Sequence, residues 1–262
     1  MLVVPQTRRS LQSLWHFGRT SDRVGYVIGV LLLISGVVHL AILVINGGAW
    51  YGPLSLRKPA TFGLSFGLTL VTMVWVTGFL RLGLRTRSVL LTAFTVASVF
   101  ETTLVSLQAW RGVPSHFNLE TPFDAWVARS LAAGGAALIG MIVVMTVAAF
   151  RANPDVSPSL RIAIRTGFLT LCAAMTVGAL MITRGMTLVF AGDPQAAYVT
   201  GGTLKPIHAV TMHGILVLPA FAWLVSFSNW TERRRAAVVL IAACVYALVI
   251  AAVAIATLAG RL

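Results

Sequence analysis

Residues 88–110 read SVLLTAFTVASVFETTLVSLQAW, and one ionisable side chain, Glu101, interrupts an otherwise apolar and hydroxyl-bearing run. A run of this length crosses a hydrocarbon core of about 30 Å as a helix rising about 1.5 Å per residue. It has to be helical, because the bilayer holds no water to satisfy the amide and carbonyl groups of an open strand. A carboxylate at that depth costs at least a few kcal/mol and usually faces a partner or a cavity. Glu101 is therefore the first candidate for function, as a proton-handling or catalytic group.

Six further runs share this character, at residues 25–45, 62–82, 125–150, 162–181, 207–227 and 236–258. The chain is 58% hydrophobic and only 10% charged, with a mean hydropathy of +0.88, far from the composition of soluble domains. The expected fold is all-α: a polytopic integral membrane protein built as a seven-transmembrane-helix bundle. Its expected parts are a basic cytoplasmic segment at 1–24 and a single membrane domain at 25–260. The first 24 residues hold Pro5 and four arginines but no apolar core long enough for a secretory signal, so the first span is expected to be an uncleaved anchor.

Orientation follows from the basic residues, since short cytoplasmic loops carry the excess. One side holds Arg8, Arg9, Arg19, Arg23, Arg81, Arg85, Arg87, Arg151, Arg161, Arg165, Arg233, Arg234 and Arg235. The other holds Arg57, Lys58, Arg111, Arg129, Arg184, Lys205 and Arg261. This places the N-terminus in the cytoplasm and the C-terminus outside, in the inner (plasma) membrane. The net charge of +13 is mostly this bias, facing anionic lipid rather than nucleic acid. Trp50, Tyr51, Trp110 and Trp126 mark one interface and Trp15 and Trp230 the other. Cys172 and Cys244 both lie within spans, as small buried hydrophobes.

The second and sixth spans both open with Lys-Pro and carry a glycine nine residues after the lysine: Lys58, Pro59 and Gly67, then Lys205, Pro206 and Gly214. Two parallel repeats in a three-plus-one-plus-three arrangement would produce this echo. So would simpler causes, because proline suits a helix start and a boundary lysine can snorkel.

The helical rise converts position into depth. His39 lies roughly 21 Å and Glu101 roughly 20 Å from the inner boundary, and His213 roughly 9 Å below the outer one, so all three share a layer. His208 and His116 come above it, with Lys58, Arg111, Arg129, Arg184 and Lys205 as a cationic rim. The loop after Trp110 is dense in capable side chains, from Arg111 through Ser115, His116, Phe117 and Asn118 to Thr121 and Asp124. Gln108 lies two turns from Glu101 and shares its helix face. The expected site is an outward-facing pocket formed by spans one, three and six, with Glu101 as its floor and the His116 loop as its lid.

Several chemistries suit these residues. A b-type haem could take His39 and His213 as axial ligands, with Lys58, Lys205, Arg129 and Arg184 neutralising its propionates and a quinol as reductant. Glu101 and His116 would then handle protons in a membrane oxidoreductase. Zinc or another transition metal on His39, His213 and His208 or Glu101 would support hydrolysis of a lipid-like substrate. Yet His208 and His213 stand about 140° apart on one helix and cannot easily chelate one ion. A proton-coupled small-solute carrier, with Glu101 as coupling group, and a structural subunit of a membrane complex complete the set. Segments 57–63 (RKPATFG), 108–118 (QAWRGVPSHFN) and 208–214 (HAVTMHG) look motif-like.

Overall fold

The structure is a computed structural model that describes residues 19–200 and 202–260. Arg8, Arg9, Trp15 and most of the basic N-terminal segment, together with Arg261, lie outside the described residues. Seven helices are long and apolar enough to cross a membrane: α1 (Thr20–Ile45), α2 (Arg57–Thr77), α3 (Leu84–Trp110), α4 (Pro122–Phe150), α5 (Pro158–Phe190), α7 (Lys205–Val225) and α8 (Glu232–Leu258). A short helix, α6 (Pro194–Thr200), lies between α5 and α7. The protein is an all-helical multi-pass membrane bundle, with no strand among the described residues.

The span boundaries shift from where hydropathy placed them, most of all in α5 and α2. α5 was expected to end near Met181 but continues to Phe190, through Thr183, Arg184 and Thr187. Thr183 and Thr187 bond back to the Ala179 and Thr183 carbonyls four residues earlier, so polar side chains are accommodated without breaking the helix. α2 begins at Arg57 rather than Phe62, because Pro59 is tolerated in a first turn, and it stops at Thr77.

The helices form two triplets. α1 packs most closely on α2, and α3 closes against both; α5 packs most closely on α7, and α8 closes against both. α4 bridges α3 and α5, and α2 meets α7 at the centre. The glycines of the Lys-Pro echo explain the closest pairs. A Cβ on Gly67 would stand 2.6 Å from the Gly29 carbonyl oxygen of α1, and one on Gly214 would stand 2.2 Å from Thr170 Oγ1 of α5. Bare glycine backbone lets helices approach where lipid supplies no hydrophobic drive for association. The three-plus-one-plus-three arrangement suggested by the echo is therefore repeated in the helix packing.

Arginine-rich clasps close the face opposite Lys58. Arg87 of α3 donates to both carboxylate oxygens of Asp22 of α1, at 2.7 and 3.0 Å, and to the Val74 carbonyl of α2 at 2.9 Å. In the second triplet Glu232 of α8 accepts from the Ser159 amide at the start of α5. Between the clasps runs a core that includes Leu70, Met73, Phe94, Met145, Phe168 and Ile215, all at most 2% exposed.

Candidate functional site

At the face where α2 and α7 begin, the three motif-like segments meet. Lys58 and Lys205 lie within electrostatic reach of each other and of His116. The His116 ring packs against Phe62 of α2 at 5.9 Å and against Phe117 at 6.1 Å. Phe117 takes a left-handed φ of 66°, uncommon for a bulky residue. Its ring fills the space above Gly185 of α5, where a Cβ would come within 2.4 Å of it. His208, one turn into α7, reaches the Ala174 carbonyl of α5 at 2.8 Å through Nδ1. The overhang of α5 beyond its expected end is thus one wall of the site.

Burial, then the charges of Lys58 and Lys205, hold the His116 imidazole well below its usual range. It is neutral at physiological pH, and its Nδ1 lies 3.0 Å from Ser115 Oγ. Among the described residues neither Lys58 nor Lys205 pairs with a carboxylate, unlike Arg87 with Asp22, Arg111 with Asp124 and Arg235 with Glu232. Lys58, half-buried, and Lys205, exposed, thus stand in the first turns of α2 and α7 on the side of the bundle that holds the His116 ring.

The base of the His116 loop is tied separately. Asp124, 2% exposed in the first turn of α4, accepts from Thr121 Oγ1 at 2.7 Å, Gln108 Nε2 at 2.8 Å and Arg111 at 2.5 Å. Its own amide donates to Thr121 Oγ1, an N-cap. Arg111 also bonds Gln108 and lies 4.7 Å over the Phe123 ring. Asp124→Ala would remove three hydrogen bonds to a charged acceptor. We expect a loss of about 2 kcal/mol, read as a lower melting temperature in detergent and faster proteolysis of the 111–121 loop. Thr121 and Asp124, three apart before an apolar run, were a capping signal open to sequence reasoning.

The expected pocket between spans one, three and six is not assembled in this form. α1 packs chiefly on α2 and α3, whereas α7 packs on α5, α8 and α2. His39, 7% exposed, faces α3: its Nδ1 lies 2.8 Å from the Ser35 carbonyl, and Trp110 Nε1 donates to its Nε2 at 3.1 Å. Glu101, 4% exposed, faces α4 instead, where a Cβ on Gly134 would stand 2.2 Å from its Oε1. That oxygen has no hydrogen-bond partner. Gln108 also faces α4, so its shared face with Glu101 holds. Arg129 and Arg184 are exposed and make no ion pair with Glu101. His213 is partly buried in α7, within electrostatic reach of His208.

A haem iron on His39 would have to displace Trp110 from its Nε2. A neutral imidazole has one lone pair, and Trp110 takes that of His39 once Nδ1 donates to Ser35. For a metal ion, no group of three His, Cys, Asp or Glu side chains that could hold one occurs among the described residues. No protein-family model matches this chain, and neither a curated protein nor a solved structure does.

Proposed function

We propose that this protein is a proton-coupled carrier for a small anionic solute, which docks at Lys58, Lys205 and His116 where the two helix triplets meet. The observation that carries the reading is the placing of Lys58 and Lys205 in matching first turns of α2 and α7, the helices that meet between the triplets, with the His116 ring packed on Phe62 of α2. A site at the junction of repeated helix units suits alternating access, because rocking one triplet against the other opens it to either side. Glu101 supplies the coupling: its buried Oε1 has no partner, so proton gain and loss there changes the charge of the membrane interior. By the positive-inside rule the lysine cradle faces away from the cytoplasm, in the plasma membrane.

Uptake of radiolabelled phosphate, succinate and lactate into proteoliposomes under an imposed pH gradient tests the reading. At least one should accumulate, and a Glu101→Gln variant that folds normally should lose the response to the gradient. Absence of uptake for all three, or a Soret band in the purified protein's absorption spectrum, would overturn it in favour of the redox chemistry considered from the sequence.

A further inference from the structure

Trp110, the last residue of α3, is 60% exposed, and the single donor of its indole is spent on another helix. Indole Nε1 donates to Nε2 of His39 on α1 at 3.1 Å, while the other ring nitrogen, Nδ1, lies 2.8 Å from the Ser35 carbonyl. A carbonyl only accepts, so Nδ1 carries the proton and Nε2 offers its lone pair. The two bonds coexist in that one neutral tautomer. We infer that His39 and Trp110 form an acid-released latch: it ties the C-terminal end of α1 to that of α3 while His39 is neutral, and lets go when His39 takes up a proton. The latch stands apart from the lysine site and from whatever that site carries.

One proton is enough, because an imidazolium has two N–H donors and no acceptor. Protonated Nε2 would set donor against donor. No cation–π contact replaces the lost bond, since His39 meets the indole at its N–H edge, the positive side of the ring quadrupole, with centroids 6.0 Å apart. The exposed indole has room to turn toward the membrane interface, where tryptophan is at home. α1 meanwhile stays on α2 through Gly29, Gly36, Gly63 and Gly67, so the end of α3 parts from it without unfolding the triplet. The charged groups of the three helices are placed elsewhere. On α1, Asp22 and Arg23 lie at the opposite end. On α2, Arg57 lies over the Trp50 and Tyr51 rings and Lys58 acts on His116. On α3, Arg85 and Arg87 lie at the opposite end and Glu101 meets Gly134 of α4, while Arg111 beyond it pairs with Asp124. The groove side chains beside His39, among them Ser35, Thr102, Ser106 and Leu107, carry no charge. Protons have a short way to travel, for His39 lies roughly 9 Å short of Ile45 along α1.

The test follows the indole N–H signals of full-length protein, labelled with nitrogen-15 at its tryptophan rings, by NMR in detergent micelles. The Trp110 signal is the one that Trp110→Phe removes. On acidification from about pH 8 to 5, the range over which histidine changes charge, it should move upfield as the bond to the imidazole is lost. His39→Gln offers Trp110 an acceptor that takes no proton, so its Trp110 signal should stay fixed over the same range. The release itself is read from spin labels at Val44→Cys and Leu107→Cys, both exposed, in a background of Cys172→Ala and Cys244→Ala. Their distance distribution should broaden and lengthen in acid, and His39→Gln should abolish that change. A Trp110 signal that does not move down to about pH 5, a movement that persists in His39→Gln, or a label distance that ignores pH would overturn the inference.

Discussion

Replacing Lys58 with glutamine is expected to weaken anion binding by about ten- to a hundredfold, because a charge-assisted hydrogen bond contributes about 1.5–3 kcal/mol. The double variant with Lys205→Gln should lose binding altogether. The free protein should melt no lower, since Lys58 and Lys205 lie in mutual electrostatic reach and removing either relieves repulsion. That split separates a binding residue from a structural one. It is read as the melting temperature with and without millimolar sulfate, an anion that does not titrate near neutrality.

The pH dependence has a definite sign. His116 takes up its proton far more readily in the unfolded chain, near pH 6.5, than in the folded one. Below about pH 6.5 the unfolded state therefore binds more protons, and the free protein loses stability as pH falls. A bound anion opposes the lysine charges and eases protonation of His116. Sulfate affinity should accordingly rise on acidification from about pH 8 to 5, and His116→Gln should flatten that slope. An affinity that falls with acid would count against the cradle.

Gly63→Leu is expected to have the largest effect on stability. A Cβ there would stand 2.6 Å from the Gly36 backbone nitrogen and 2.8 Å from the Leu32 carbonyl oxygen of α1. Backbone cannot rotate aside as a side chain can, so α1 must lift from α2 along the whole contact that includes Gly29 and Gly67. A cost of about 3 kcal/mol is expected, measured as a fall in melting temperature in detergent. Gly135→Leu is the matched control, because nothing lies within 4 Å of its Cβ position. Equal losses in the two variants would show that helix propensity and lipid contact, not the α1–α2 approach, set the effect.

Much of the candidate site was legible residue by residue. Lys58, Lys205 and His116 stand out in the sequence by charge and loop position, and the charges of both lysines act on the His116 ring. Arg129 and Arg184 are grouped with them on depth, and both are exposed, as is Lys205. His39 and the Thr102 stretch do share a layer, since they line one groove. Glu101 sits next to Thr102 in the chain but about 100° further round the helix, and so meets Gly134 of α4 instead of His39. The roles of Trp110 as the His39 partner and of Gly185 as the seat for Phe117 had no local signal, because each depends on another helix.

By itself the sequence determined the seven apolar segments of membrane-spanning length and the helical state of each. Those properties follow from hydrocarbon thickness and a constant rise per residue, both local. Only the tertiary structure decided which helices are neighbours and which way each polar group turns. In lipid, apolar faces are equally content against tails or against one another, so hydropathy does not encode helix azimuth. Close backbone contacts such as Gly36 on Gly63 and Gly167 on Ile215 set it instead, and they placed Glu101, His39 and Lys58 in three different surroundings.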